Sequence, residues 1–158
     1  MNGATLKTIR ESLGLSVSWL AAAANVEERT VRYWEARLDG VPDDVRLVIE
    51  QLERLAAETA ERGLAVIREQ ITANRSSAKP VLLLRYGNDD DLGRYQPDMA
   101  GLPATFHASI LAKIRGALKK DDVEVVIRWF DASAYEAWRR TTHQTDSAAL
   151  RAQFIGME

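Results

Sequence analysis

The chain has 158 residues, 46% of them hydrophobic, enough to bury the core of one ordinary domain or two small ones. It contains no cysteine, which excludes a disulfide framework and a thiolate metal site and makes the reducing cytoplasm the expected compartment. A formal net charge of -2 is unusual for a nucleic-acid binder, and no stretch reads as a membrane span or signal peptide.

In chain order, Leu6, Ile9 and Leu13 recur at spacings of three and four and predict a first helix from Ala4 to Leu13. Gly14 ends it in the left-handed cap conformation, and Ser16 follows as the N-cap of a second helix carrying Leu20, Ala21 and Ala24. Asn25 occupies a second left-handed position. A third helix is expected from Glu27 to Arg37, with Val31 and Trp34 turned inward. Glu28, Arg29, Arg32 and Tyr33 are then left on its outer surface. Two short helices joined by a tight turn, with arginines on the second, form the helix-turn-helix pattern that carries side chains into a DNA major groove.

After Gly40, Asp43 is expected to cap a long helix through Val45, Ile49, Leu52, Ala56, Ala60, Leu64, Ile67 and Ile71, with Gly63 as a break. Its early half closes the N-terminal unit; its later half is a connector or a dimer seam. The polar segment 76–80 marks a boundary, giving a DNA-binding unit over 1–73 and a small α/β unit over 79–158. Val81 to Tyr86 reads as a strand, Gly87 to Asp91 as an acidic turn, and Leu102 to Leu118 as a helix with Phe106, Ile110, Ile114 and Leu118 inward. Val123 to Phe130 is a second strand, followed by a helix capped by Asp131 that holds Tyr135 and Trp138, with a further turn or two after Thr141. The fold class is therefore mainly α: an N-terminal helical unit holding the helix-turn-helix, then a small α/β unit of strand-helix-strand-helix. Strands joined by a helical crossover are expected to be parallel, and two strands alone leave both edges open, which predicts completion by a second copy in a homodimer.

The N-terminal half resembles the Cro/CI-type repressor family. The resemblance lies in Leu6-Lys7, Ile9-Arg10-Glu11, Leu13-Gly14-Leu15-Ser16, Leu20-Ala21, Val26, Arg29-Thr30-Val31 and Trp34-Glu35, over about 35 residues, and implies a lambda-repressor-like helical domain. Met1-Asn2-Gly3, Tyr33-Trp34-Glu35, Val41-Pro42-Asp43-Asp44-Val45 and the strand Leu83 to Tyr86 with its Leu-Gly-Arg-Tyr sequel are similar to a smaller group. That group contains anti-CRISPR-associated autorepressors and their chromosomal relatives, in which a C-terminal α/β piece builds the dimer. The resemblance also implies that Arg10 and Glu35 form a salt bridge between the first and third helices. Departures from the family are Val17, where a glutamine often meets phosphate, and Glu27 and Glu28, where a serine or threonine usually caps the third helix.

For base contact the candidates are Arg29, Arg32, Tyr33 and Glu28. An arginine can bond guanine O6 and N7 in a bidentate way, a tyrosine can touch a thymine methyl or a phosphate, and a glutamate can accept from cytosine N4. Arg32 suits a base edge or a phosphate equally. Lys7, Ser16 and Thr30 are the phosphate candidates, with a solvated lysine as the plain alternative at Lys7. Trp34 is expected in the core, whereas Trp19 falls on the outer side of the second helix, where it is expected to pack under the long helix or the C-terminal unit and has no functional account.

His107 and His143 lack a third ligand for a metal, Asp89-Asp90-Asp91 lacks the spacing of a calcium loop, and there is no phosphate loop or nucleophile elbow. No cofactor and no catalytic residue is expected. The function so predicted is a homodimeric, sequence-specific transcriptional repressor that binds double-stranded DNA at an inverted repeat and autoregulates its own operon. A protein-binding antitoxin whose C-terminal unit neutralises a toxin is the alternative from another class, and RNA is left open as a partner of the same basic face.

Overall fold

The computed structural model describes residues 1–38, 40–73 and 80–157. Among them the chain is mainly helical, with eight α-helices and one two-stranded parallel sheet. Residues 76–79 of the expected boundary lie outside the described residues.

Helix α1 spans Gly3–Ser12, one residue earlier than expected, because the Asn2 carboxamide accepts the Thr5 amide at 2.9 Å and caps it. Gly14 turns the chain at φ +67°. Helix α2, Val17–Ala23, starts at Ser16, whose hydroxyl accepts the Trp19 amide at 2.9 Å. Asn25 takes the second left-handed position at φ +53°, and α3 follows over Glu28–Ala36. The inner faces of these helices bury Leu6, Leu13, Leu15, Leu20, Ala21 and Val31, while Trp34 is half-buried at the edge of that core. Gly3 is itself buried, since α1 begins against the end of α3: a Cβ there would meet the Trp34 carbonyl oxygen at 2.1 Å.

Helix α4 runs unbroken over Asp43–Ala73. Asp43 is its first residue rather than its cap; the Pro42 carbonyl accepts the Arg46 amide at 2.9 Å, and the Asp43 carboxylate instead meets the Arg46 guanidinium. Gly63 is not a break. It marks a close crossing, where a Cβ would stand 3.0 Å from the tip of Ile114. The N-terminal half of α4 buries Val45 and Ile49, and α4 packs extensively along α6, Ala104–Lys120, with Ala56 and Ala60 buried.

Beyond it stands strand β1, Val81–Arg85, parallel to β2, Val125–Trp129, in the register Val81↔Val125 to Arg85↔Trp129. The connection carries α6, as the crossover rule requires, and α6 buries Phe106, Ile110, Ile114 and Leu118 at the expected interval of four. The acidic segment is not a turn. Asn88 caps a helix, α5, over Asp89–Tyr95; the three aspartates form its first turn, where negative charge suits the helix dipole. A 3-10 turn, Pro97–Met99, leads back to α6.

Asp131 caps α7, Ala132–Thr141, as its spacing predicts. The tail forms a full helix, α8, Ala148–Met157, which packs on β1. Tyr95, Phe130, Tyr135 and Phe154 make a cluster of edge-on and tilted rings with centroids 4.9 to 5.8 Å apart. No described helix is long and apolar enough to cross a membrane.

Two hydrogen bonds lock the first three helices to the approach to α6. The Trp19 indole Nε1 donates to the Gly101 carbonyl at 3.2 Å, and the Thr105 hydroxyl donates to the Gly14 carbonyl at 2.5 Å.

Candidate nucleic-acid interface

Helix α3 is held by its inner face and leaves its outer face bare. Val31 is fully buried, whereas Glu28, Arg29, Arg32 and Tyr33 are all exposed and, at about 100° per residue, fall within one arc of roughly 140° on the helix surface. Thr30 lies half-buried between the two faces. The capped start of α2 and the left-handed Asn25 fix the angle at which α3 leaves the turn, and the amide of Val26 closes that turn on the Ala21 carbonyl at 2.9 Å.

Each outward arginine has an acidic partner. Arg29 Nε is 2.8 Å from Glu27 Oε2, and Arg32 Nη2 is 2.6 Å from Glu28 Oε2 across one helical turn. The side chains of both pairs are about half exposed or more, so each pair is worth at most about 1 kcal/mol and yields readily to a stronger anion. Tyr33 is 57% exposed, with the Arg37 guanidinium 4.9 Å over its ring and donating to its hydroxyl.

Lys7, on α1, does not lie on α3, yet it joins Arg32 in one cleft of about 370 Å³ between α1, the first turn of α2 and α3. Val17 lines that cleft, where an apolar side chain offers no donor to an anion. The buried pair Arg10–Glu35 forms part of its wall, Arg10 Nε donating to Glu35 Oε1 at 2.5 Å and Nη1 to the Leu15 carbonyl at 2.7 Å. This is the α1–α3 bridge the resemblance implied. Ser16 stands at the α2 N-terminus with its oxygen engaged by the Trp19 amide and by the Ser18 hydroxyl at 2.8 Å.

The geometry thus brings Glu28, Arg29, Arg32 and Tyr33 onto one face and sets Lys7 beside Arg32. Ser16 and Thr30 stand apart from that face, as a cap and as an edge residue.

Neither a protein-family model nor a curated protein matches the chain.

Sequence reasoning missed residues elsewhere. Trp19 packs against the C-terminal part, one of its two expected positions, but its hydrogen-bond partner Gly101, 82 positions away, was not foreseen. In the C-terminal unit, His107 and Arg151 are buried, and both line a second cleft of about 190 Å³. The only signal in the sequence was a charged residue set among Leu150, Phe154 and Ile155.

Proposed function

We propose that this chain is a sequence-specific DNA-binding transcriptional repressor of Cro/CI type, acting as a homodimer on an inverted repeat and autoregulating its own operon. The observation that carries this reading is the outer face of α3. Two arginines and a tyrosine stand exposed on a short helix whose opposite face is fixed in the core. Arg29 and Arg32 exchange their glutamates for base edges or phosphates on binding, and Tyr33 contacts a thymine methyl or a phosphate. Glu28, once released by Arg32, is placed to accept from cytosine N4. Lys7 and the α2 N-terminus, with Ser16, meet the phosphate backbone, and Thr30 does so at the edge of α3.

Two copies place their α3 helices in successive major grooves, with half-site centres about 34 Å apart or a multiple of it. The second copy is joined through the C-terminal unit, whose sheet has only two strands among the described residues and shows Ile127 and Trp129 on β2 exposed. Repression follows from occluding RNA polymerase at an overlapping promoter.

The test is a fluorescence-anisotropy titration against the chain's own upstream intergenic DNA, beside scrambled DNA, at two salt concentrations. Nanomolar binding at least about a thousandfold tighter than to scrambled DNA is expected, and Arg29→Ala abolishes that preference while leaving circular dichroism and dimer mass unchanged. Weak binding of both DNAs that vanishes with salt, or a monomer by light scattering at micromolar concentration, sinks the proposal.

A further inference from the structure

The cleft of about 190 Å³ in the C-terminal unit is built as a ligand site, independently of the α3 face. Its apolar walls include Leu82 and Leu84 from β1 and Ile155 from α8. Four polar side chains converge on it: Tyr86, Gln96, His107 and Arg151. Three of these are deeply buried, Tyr86 at 2% exposure, Arg151 at 7% and His107 at 9%. An apolar cavity of about 150 Å³ already holds benzene, so this volume suits a body of about one ring.

Arg151 is the one cation on the cleft lining, and no carboxylate lines it. Arg151 Nη1 donates to Asp146 at 2.6 Å, and the same carboxylate accepts from the Tyr135 hydroxyl at 2.6 Å, so one anion serves two donors. Arg151 offers further N–H groups in a fixed fork that matches a carboxylate, and its charge acts on the Tyr86 hydroxyl. Arg85 does not line the cleft, since its side chain leaves β1 on the other face and lies over the Trp129 ring, but its charge acts on His107. His107 Nδ1 is buried without a hydrogen-bond partner, an orphan that a native structure seldom tolerates without a purpose. The imidazole is held neutral, its pKa lowered to about 4 by burial first and Arg85 second, so one ring nitrogen donates and the other accepts.

We propose that this cleft binds a small organic anion, a carboxylate carried on an apolar body of about one ring. The carboxylate sits against Arg151 and Tyr86, with His107 supplying or receiving a further hydrogen bond, and the ring lies among the aliphatic side chains. Occupancy is passed on through α6. His107 shares the first turn of that helix with Thr105, which grips the Gly14 carbonyl, and Gly101 just before it holds Trp19.

The probe is sodium benzoate, titrated into the full chain and followed by ¹H–¹⁵N NMR, with neutral benzamide as the control. Saturable shifts with half-saturation near or below about 1 mM are expected for benzoate, and binding at least about tenfold weaker for benzamide. The Trp19 indole signal, assigned by Trp19→Phe, moves along with the residues of the cleft. Arg151→Gln abolishes the benzoate shifts. Because Arg151 is buried and its loss can disturb the fold, the deciding variant is Ala152→Phe, at an exposed position on the cleft lining. It fills the cleft while keeping all four polar residues, and benzoate shifts vanish in a spectrum otherwise native outside the cleft. No saturable shift up to about 10 mM, equal binding of benzamide, or undiminished binding by Ala152→Phe overturns the site. A stationary Trp19 signal overturns the transmission.

Discussion

Trp19 and Gly101 are 82 residues apart in sequence, yet the indole of one donates to the main-chain carbonyl of the other at 3.2 Å. A large ring on the outer side of a short helix is thereby accounted for: it is the N-terminal unit's grip on the approach to α6. Trp19→Phe keeps most of the packing and loses the hydrogen bond, which should cost about 1 kcal/mol in urea unfolding. Trp19→Ala, which also removes the ring, should cost clearly more. Equal and negligible losses in the two variants would show that the contact contributes nothing.

Arg10 and Glu35 make a different kind of contact. Their side chains are 7% and 8% exposed, and the guanidinium also serves the Leu15 carbonyl. Removing either partner strands a buried charge, so Arg10→Ala and Glu35→Ala should each cost about 3–5 kcal/mol. The double variant Arg10→Ala, Glu35→Ala should cost much less than the sum of the singles. Additive losses in that cycle would refute a coupled pair.

His107 sets a pH window. Its folded pKa of about 4 lies below the ordinary histidine value of 6.5, so between those values the unfolded chain binds the proton and the folded chain does not. Stability is complete above about pH 6.5 and falls with acidification toward pH 4, by roughly 3 kcal/mol from this group. His107→Leu should flatten that part of the acid limb in urea midpoints taken at pH 7, 5.5 and 4. An acid limb unchanged by the substitution would assign the loss to other groups.

Two glycines should respond in opposite directions to alanine. Gly3→Ala drives a Cβ to 2.1 Å from the Trp34 carbonyl, where backbone on both sides must move, and should destabilise the chain by 2 kcal/mol or more, an order-of-magnitude figure set by ordinary overpacking losses. Gly116 lies exposed in α6, and a Cβ there meets nothing within 4 Å. Gly116→Ala should therefore gain close to the helix-propensity difference, about 1 kcal/mol. Thermal melts of the two variants suffice to compare them.

Much of the architecture was readable where a local rule acts alone. Gly14 and Asn25 were placed by their tolerance of positive φ, Ser16 and Asp131 by their capping hydroxyl and carboxylate, and α6 by the interval from Phe106 to Leu118. Failures came where local chemistry has two outlets. A run of three aspartates suits a turn and equally the first turn of a helix, and the choice fell to Asn88 as cap and to Ala104, whose amide donates to Asp89 at 2.7 Å. Glycine at 63 reads as a break unless a second helix needs its surface, and that helix lies some fifty residues on, at Ile114. Helix α8 was foreshadowed only as a turn or two, since its apolar residues cover β1 and a ring cluster that no local pattern reveals. On the α3 face the residues were legible from Val31 and Trp34, but the exposed glutamate partners of Arg29 and Arg32 emerged only with side-chain geometry.

Helix α4 makes the chain its own ruler. Every residue inserted within it rotates the downstream half of the helix by about 100° and advances it by about 1.5 Å. A single insertion between Ile49 and Ala56 would therefore rotate the α6-facing side away from α6 while the interlock at Gly14 and Gly101 held the other end in place. The phase of this helix and the interlock must agree, so the direction in which α3 faces, relative to the C-terminal unit, is set by the number of residues in α4 as much as by their identity. Length here is a specificity-bearing quantity: even an insertion of seven residues, which returns the helix close to its starting phase, advances the downstream half by about 10 Å and pulls the interlock apart.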